Sequence, residues 1–453
     1  MTLRIVVTVL YLGFPFSPLH AKEVRILPID EETIAAYNKM GGEYGGFSVN
    51  FGSLEFSQGA EKAAKQLPGF KFKEWHGTIS KLHSVNVPFG LDLTGGRLTD
   101  AAWEELKGLK HLNSLKLNNR DITESELKKI SQLKFLSSLD LHFTGLTDED
   151  LKILTNLQGL TSLDIGDSKV TESGLKILGQ LKNLSDLALD RIPVTDEGLR
   201  SLASFQSLTT LNLHCSQVTD AGLVEFTKFR SLTGLCLART RVTGVGFKHL
   251  VQNQRLTHLS LNFTDLTDEG VEQIAQLPNL TYLHAWDTKI SDVGLNHLTQ
   301  CKQITDLSLS GTNVTDEGLR GIKKLKELTT LYLGNTTVTD RGLRELWQLK
   351  KLSILGLGET KLTDAGLKGI AQLQGLTELY LGGADVTDAG LKELRSLNSL
   401  TYLSLGQTKV TDLGLKELAQ MKALTYLYLF STKVTDAGVA DLRKALPKCK
   451  IER

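Results

Sequence analysis

Cysteine is the first shortage. Four cysteines in 453 residues are too few for the disulfide framework that small secreted domains need in place of a large core. Charge of one sign is equally scarce: Lys+Arg 52 against Asp+Glu 51 leaves a formal net charge of +1. That balance supplies no whole-molecule attraction for nucleic acid or anionic lipid, so a nucleic-acid partner is not expected. Beyond the extreme amino terminus no apolar run reaches the roughly 20 residues a spanning helix requires. The sequence also lacks a phosphate-binding Gly-rich loop with Lys-Ser/Thr, a His-Glu-x-x-His zinc motif and a paired Cys-x-x-Cys. No cofactor is implied and no enzyme class is suggested. A hydrophobic fraction of 41% is nevertheless enough for an extensive core.

What is present begins with an address. Met1–Arg4 carries one positive charge, Ile5–Phe16 is almost wholly apolar, and Ser17–Ala21 ends in small or turn-forming residues. This is the layout of a secretory signal peptide with cleavage expected after Ala21, which predicts an exported protein without a membrane span in its mature form. A buried helix of an N-terminal cap is the competing reading of the same segment.

From Leu91 onward the chain repeats itself every 24 residues. An aliphatic residue, Thr or Ser, and usually Asp or Glu recur in phase fifteen times, with the acidic position running from Asp100 to Asp436 and replaced by Gly244 in one unit. Within each unit two periods alternate. Leu403 and Leu405 have the spacing of a strand, whereas Leu415, Leu418 and Met421 have the spacing of one helix face. Each unit therefore reads as strand, turn and helix. The Thr-Asp pair falls where the helix begins, so its oxygens suit unpaired N–H groups and the positive end of the helix dipole. Basic residues four places on, such as Lys128, Arg200 and Lys416, are expected to pair with those acids on solvated helix faces. A single unit buries too little apolar surface to offset its ordering entropy, so neighbours must stack.

The segment Leu424-x-x-Leu427-x-Leu429-x-x-Thr432-x-Val434-Thr435-Asp436 resembles a leucine-rich repeat, with Thr in place of the usual Asn or Cys. The continuation Thr411-Asp412-x-Gly414-Leu415 is similar to the cysteine-containing subclass and to exported repeat proteins of planctomycete-type bacteria. The resemblance implies an α/β fold: a right-handed horseshoe of about 15 repeats, with a parallel sheet on the concave side and helices on the convex side. It implies a function in binding another macromolecule. Domain boundaries follow: signal peptide 1–21, N-terminal cap 22–88, solenoid 89–440 and C-terminal cap 441–453. In the cap an amphipathic stretch at Glu31–Met40, a Gly-rich turn at Gly41–Gly46 and a helix-like run at Ala60–Gln66 are expected.

Residues between and after the core leucines should face the concave side. In earlier units these include Asp92, Lys116, Asp140, His142, Asp164, Asp186, Asp190, Asn212 and His214. Asp140 and Asp164 are expected on neighbouring strands, where like charges repel, with water and Lys116 as their relief. A solvated face, a cationic partner and a divalent ion all accommodate that patch, though no metal site is specified. In later units six of the nine tyrosines (Tyr282, Tyr332, Tyr380, Tyr402, Tyr426 and Tyr428) fall on one face with His258, His284, Trp286 and Phe430. Gly334, Gly358, Gly382 and Gly406 form one column beside them, read as a trough flanked by rings. Aromatic residues with a polar handle anchor interfaces, so this face is expected to bind a protein or a glycan. Two further readings are an intracellular adaptor presenting targets to a ubiquitin-ligase type complex, and a hydrolase using Asp140, Asp164 and His142. Cys301 reads as core, and Cys215 and Cys236 as too far apart along the strand to pair.

Overall fold

The structure is a computed structural model describing residues 28–73 and 84–453. The expected signal segment lies outside the described residues. At the N-terminal end are helix α1 (Glu31–Lys39), strands β1 (Gly42–Asn50) and β2 (Ser53–Gln58), helix α2 (Ala60–Lys65) and strand β3 (Leu67–Phe72). Strands β4 (Phe89–Asp92) and β5 (Leu112–Lys116) open the repeats. Three-residue strands follow: β6 (Ser138–Asp140), β7 (Ser162–Asp164), β8 (Asp186–Ala188), β9 (Thr210–Asn212), β10 (Gly234–Cys236) and β11 (His258–Ser260). The series continues with β12 (Tyr282–His284), β13 (Asp306–Ser308), β14 (Thr330–Tyr332), β15 (Ile354–Gly356) and β16 (Glu378–Tyr380). Strands β17 (Tyr402–Ser404), β18 (Tyr426–Tyr428) and β19 (Lys450–Glu452) complete it.

From β3 onward each strand pairs in parallel with the next, so the sheet is one long ribbon on the concave side. Its register is locked by the middle leucine. Leu259, Leu283, Leu307 and Leu331 pair in line, and all are fully buried. Because strand side chains alternate, the first and third residues of each three-residue strand from β6 onward are left for the concave surface. Helices or 3-10 turns return the chain on the convex side, and the apolar stripe of each faces the leucine columns. Among the described residues no helix is long and apolar enough to cross a membrane.

In most units the signature hydroxyl caps its own helix: Thr267 accepts from Gly270 N–H and Thr315 from Glu317 N–H. The aspartate does something different. Asp292 receives the backbone N–H of Thr315 at 2.8 Å and its hydroxyl at 2.7 Å, both from the following repeat. The same pair of hydrogen bonds joins Asp316 to Thr339, Asp340 to Thr363, Asp364 to Thr387 and Asp388 to Thr411. The glycine of the signature follows from this staple. A Cβ on Gly294 would lie 2.4 Å from Asp268 Oδ1, which instead accepts the Gly294 N–H at 3.0 Å. Only a residue without a side chain leaves the carboxylate that room.

The staple also explains where the glycine is missing. In the early units Thr123 and Thr147 close capping boxes with their own Glu126 and Asp150, and Asp100 pairs with Lys129 instead. The first complete staple joins Asp148 to Thr171, and Gly174 sits against it. With the aspartates committed between repeats, three of these basic residues pair three places back rather than four: Lys152–Glu149, Arg200–Glu197 and Arg320–Glu317. Lys128–Glu124 keeps the four-residue spacing.

The Gly-rich stretch read as a turn at Gly41–Gly46 is mostly strand. A Cβ on Gly45 would meet Ser57 O at 2.2 Å and one on Gly46 would meet Lys62 O at 2.6 Å. Those glycines let β2 and α2 press onto β1.

The staple predicts strong coupling between its two ends. Asp268→Ala and Gly294→Ala are each expected to destabilise the protein by about 1–3 kcal/mol, the first through orphaned N–H and O–H groups, the second through collision. In urea denaturation the double variant should lose clearly less than the two losses together. Gly108→Ala, with nothing within 4 Å of the added carbon, should be neutral or better.

Candidate functional site

The concave face has two halves. The first carries the acidic patch, and the chain's own β1–β2 hairpin lies across it. Residues Gly42–Phe47 of β1 pair with β3, while Gly45–Asn50 pair with β2. The hairpin then overshoots the sheet and its two-residue tip, Phe51 and Gly52, turns with positive φ at both positions, the geometry that suits a right-twisted hairpin. Leu54 N–H donates to Asp140 Oδ2 at 3.3 Å, Lys116 donates to Leu54 O, and Ser53 Oγ donates to Asp164 Oδ2. Ser162 Oγ donates to Gly52 O at 3.1 Å. The Phe51 ring rests against Gly234.

Asp140 and Asp164 are directly opposite on β6 and β7 and fully buried. Lys116 reaches Asp140 at 3.0 Å, so relief comes from that lysine and from the hairpin. Burial first, and then the Asp164 charge, push the Asp140 carboxyl upward. Asp190 is raised to about 6 by the same two causes. His142 Nδ1 lies 3.7 Å from Asp164 Oδ1 and 3.6 Å from Asp190 Oδ2, and the Asp164 carboxylate beside it raises its pKa. Gly166 makes the cluster possible, since a Cβ there would fall 2.3 Å from Asp190 and 2.7 Å from His142. The ligand atoms of His142, Asp164 and Asp190 all lie within 4.8 Å of one another, a set of the composition that divalent ions accept. A protonated His142 bridges the two carboxylates equally well.

Asp186 stands apart from this cluster, taking the Thr210 hydroxyl at 2.6 Å and the Ser185 hydroxyl at 2.5 Å. His214 also stands apart, with a pKa pushed down to about 4 by burial and by Arg239 and Arg191. Asp140 and Asp164 meet the hairpin and His142 rather than an open cleft, and their second oxygens accept the His142 and Gly166 N–H groups in local turns. As a hydrolytic centre this patch has no open approach to its two carboxylates. All four cysteines are free thiols, with Cys301 in the core.

The second half is lined by rings. His258 stacks on Tyr282 at 5.3 Å between centroids. Tyr282 Oη lies 2.6 Å from His284 Nδ1, and His284 Nε2 lies 2.8 Å from Asp306 Oδ1. An imidazole carrying its proton on Nε2 satisfies both contacts by accepting from the phenol and donating to the carboxylate. Burial drives the Tyr282 phenol well above its ordinary value, so it stays protonated and fixes the ring. Further along, Tyr332 and Tyr380 are 6.0 Å apart, Tyr380 and Tyr402 4.8 Å, and Tyr402 and Tyr426 4.9 Å with planes 10° apart. Tyr380 donates to Glu378 at 2.7 Å, and the Lys450 ammonium sits 5.1 Å from the Tyr426 ring centre. Tyr332, Tyr380, Tyr402, Tyr426 and Tyr428 are half-buried and Phe430 is exposed.

Two details differ from the sequence reading. Trp286 pairs with Phe263 at 4.9 Å, and Arg239 lies over Phe263, which makes a separate aromatic and cationic group. The glycine column is not an empty trough: Cβ atoms on Gly334 and Gly358 would meet the next unit's carbonyl at 3.0 and 2.9 Å, and Gly406 lies under the Tyr428 ring. The glycine that makes room for the ladder is Gly356, whose Cβ would lie 2.4 Å from Tyr332. Asp306, Glu378 and Lys450 belong to this face and were missed, although their place at the first strand position was readable from the repeat phase.

The raised Asp190 carboxyl has a direct consequence. A folded-state pKa above the unfolded one contributes stability below the unfolded value, and this is lost as pH rises through about 6. Asp190→Asn is therefore expected to raise the urea midpoint at pH 8, equivalent to about 1–3 kcal/mol, with the difference closing near pH 4. A pH-independent difference between the two proteins would contradict the origin given for the shift.

Comparison with known proteins agrees with this architecture. A family model described as a leucine-rich repeat region matches residues 104–294. A second, described as a leucine rich repeat, matches residues 300–323, 373–394 and 396–419. No curated protein matches the sequence significantly. Among solved structures, an internalin from Listeria monocytogenes is 25% identical with a TM-score of 0.53, covering 72% of this chain and 88% of its own. A leucine-rich-repeat protein of Leptospira interrogans is 26% identical with a TM-score of 0.51, covering 80% and 89%. Repeat phase, parallel ribbon and family match converge, and the chain is a leucine-rich-repeat protein.

Proposed function

We propose that this is an exported, non-enzymatic recognition solenoid that grips a protein partner on the aromatic half of its concave face, from β11 to β19. The observation that carries the reading is the ladder Tyr332, Tyr380, Tyr402 and Tyr426, whose rings support one another at 4.8–6.0 Å while remaining half-buried. Stacked rings are held in place before a partner arrives, so little side-chain entropy is lost on contact. Their hydroxyls and the flanking Glu378, Asp306 and Lys450 provide the polar points that orient a polypeptide. A glycan would use the same rings by stacking. The charged groups between them favour a protein surface. Export rests on the Met1–Ala21 segment.

The test is a variant carrying Tyr380→Ala, Tyr402→Ala and Tyr428→Ala together. Its far-UV circular dichroism should match the wild type, because the interior leucines are untouched. Its affinity for a partner captured from the envelope of the source cell should fall at least a hundredfold. Full retention of capture would remove the ladder as the binding site, and capture of oligosaccharide alone would replace the protein partner with a glycan.

A further inference from the structure

We propose that the acidic half of the concave face, β6 to β10, is a second recognition groove for a β-hairpin turn of another protein, occupied at rest by the chain's own hairpin tip. The tip lies as a ligand lies. Leu54 sits over Asp140 on β6, Ser53 over Asp164 on β7, Gly52 against Ala188 on β8, and Phe51 against Gly234 on β10. The tip thus crosses the solenoid from β6 to β10, with Ser53 and Leu54 extended and Phe51 and Gly52 in the turn.

The manner of holding separates this tip from the rest of the cap. The base of the hairpin, Gly42–Phe47, is bound by the backbone ladder to β3. The tip is read by side chains of the solenoid: Asp140 takes its N–H, Lys116 and Ser162 give to its carbonyls, and Asp164 takes its serine hydroxyl. The fit is selective, because a Cβ on Gly52 would lie 2.5 Å from the Ala188 nitrogen and 2.8 Å from the Leu187 carbonyl carbon. The partner segment that this groove fits therefore reads aromatic, glycine, serine, aliphatic.

The seat is also held against an opposing force. Three carboxylates, Asp140, Asp164 and Asp190, face Lys116 and His142 beneath the tip. Burial that disfavours the ionised forms of Asp140 and Asp190 opposes the docked state. Lifting the tip rehydrates them. A competing segment has only to match the tip, not to open the solenoid, and the aromatic half is unaffected by the exchange.

The experiment uses the full chain and a fluorescent synthetic peptide spanning Phe47–Gln58. Gly52→Val expels the tip, since the new side chain collides with β8 and the positive φ disfavours it. The peptide should bind the Gly52→Val protein at least tenfold more tightly than the wild type in fluorescence anisotropy, and adding Asp164→Asn should abolish that gain. Equal binding to both proteins, or to neither, overturns the proposal. Should wild-type chains instead exchange tips and sediment as dimers, the groove serves self-assembly and a foreign partner is ruled out. If Gly52→Val fails to fold, hydrogen exchange on the wild type decides. The Leu54 amide should exchange at least tenfold faster than those of Leu139 and Leu163. Exchange at the rate of those core strands would make the tip a permanent part of the fold and overturn the proposal.

Discussion

Everything in this molecule depends on one bond pattern between neighbours: an aspartate at the start of one helix that takes the N–H and hydroxyl of the threonine beginning the next. Hydrophobic burial makes the repeats stack, but burial is non-directional and would tolerate slippage. The staple is directional and fixes the phase. It also fixes the sequence, since the carboxylate occupies the space where any side chain two places beyond the following helix's acidic residue would sit, leaving glycine. Where Gly244 replaces the acid, no carboxylate is available to the next unit. Thr267 N–H goes to the Thr243 carbonyl instead, at 3.0 Å.

With phase fixed, the concave face becomes a ruled surface on which two columns per strand are free to vary. Interior positions are nearly invariant leucines with no exposure, so differences between units accumulate on that face. The first half has gathered carboxylates and a hairpin that reads them. The second has gathered rings that stack along the ribbon. The boundary falls near β10 and β11, where Phe51 ends the hairpin and His258 begins the aromatic series. An extended recognition surface of this kind is what stacked repeats provide that a single compact domain does not.

The repeat, its strand and helix, and which residues face inward or outward were all legible in the sequence, because two periodicities alternate in strict phase from Leu91 to the tail. The opposition of Asp140 and Asp164 was legible for the same reason. The role of the aspartate was not: helix capping and stapling to the next repeat need the same residue at the same place, and only the 23-residue separation of partners distinguishes them. The hairpin was invisible for a deeper reason. Phe51 to Leu54 contact residues more than 60 positions away, outside any local period, and Gly41–Gly46 carries a turn-like composition because strands crowd it. Ring orientation was equally hidden, since it depends on the absent Cβ of Gly356 in the next unit.

One half of the concave face is covered by the chain itself and the other is open. Hydroxyl-radical footprinting with mass-spectrometric readout tests this on two residues of identical chemistry, Phe51 at 9% exposure and Phe430 at 56%. Phe430 should oxidise several times faster than Phe51 in the native protein, with the two rates converging on denaturation. Equal native rates would mean that the hairpin does not lie on the acidic half, and the division of the face would be wrong.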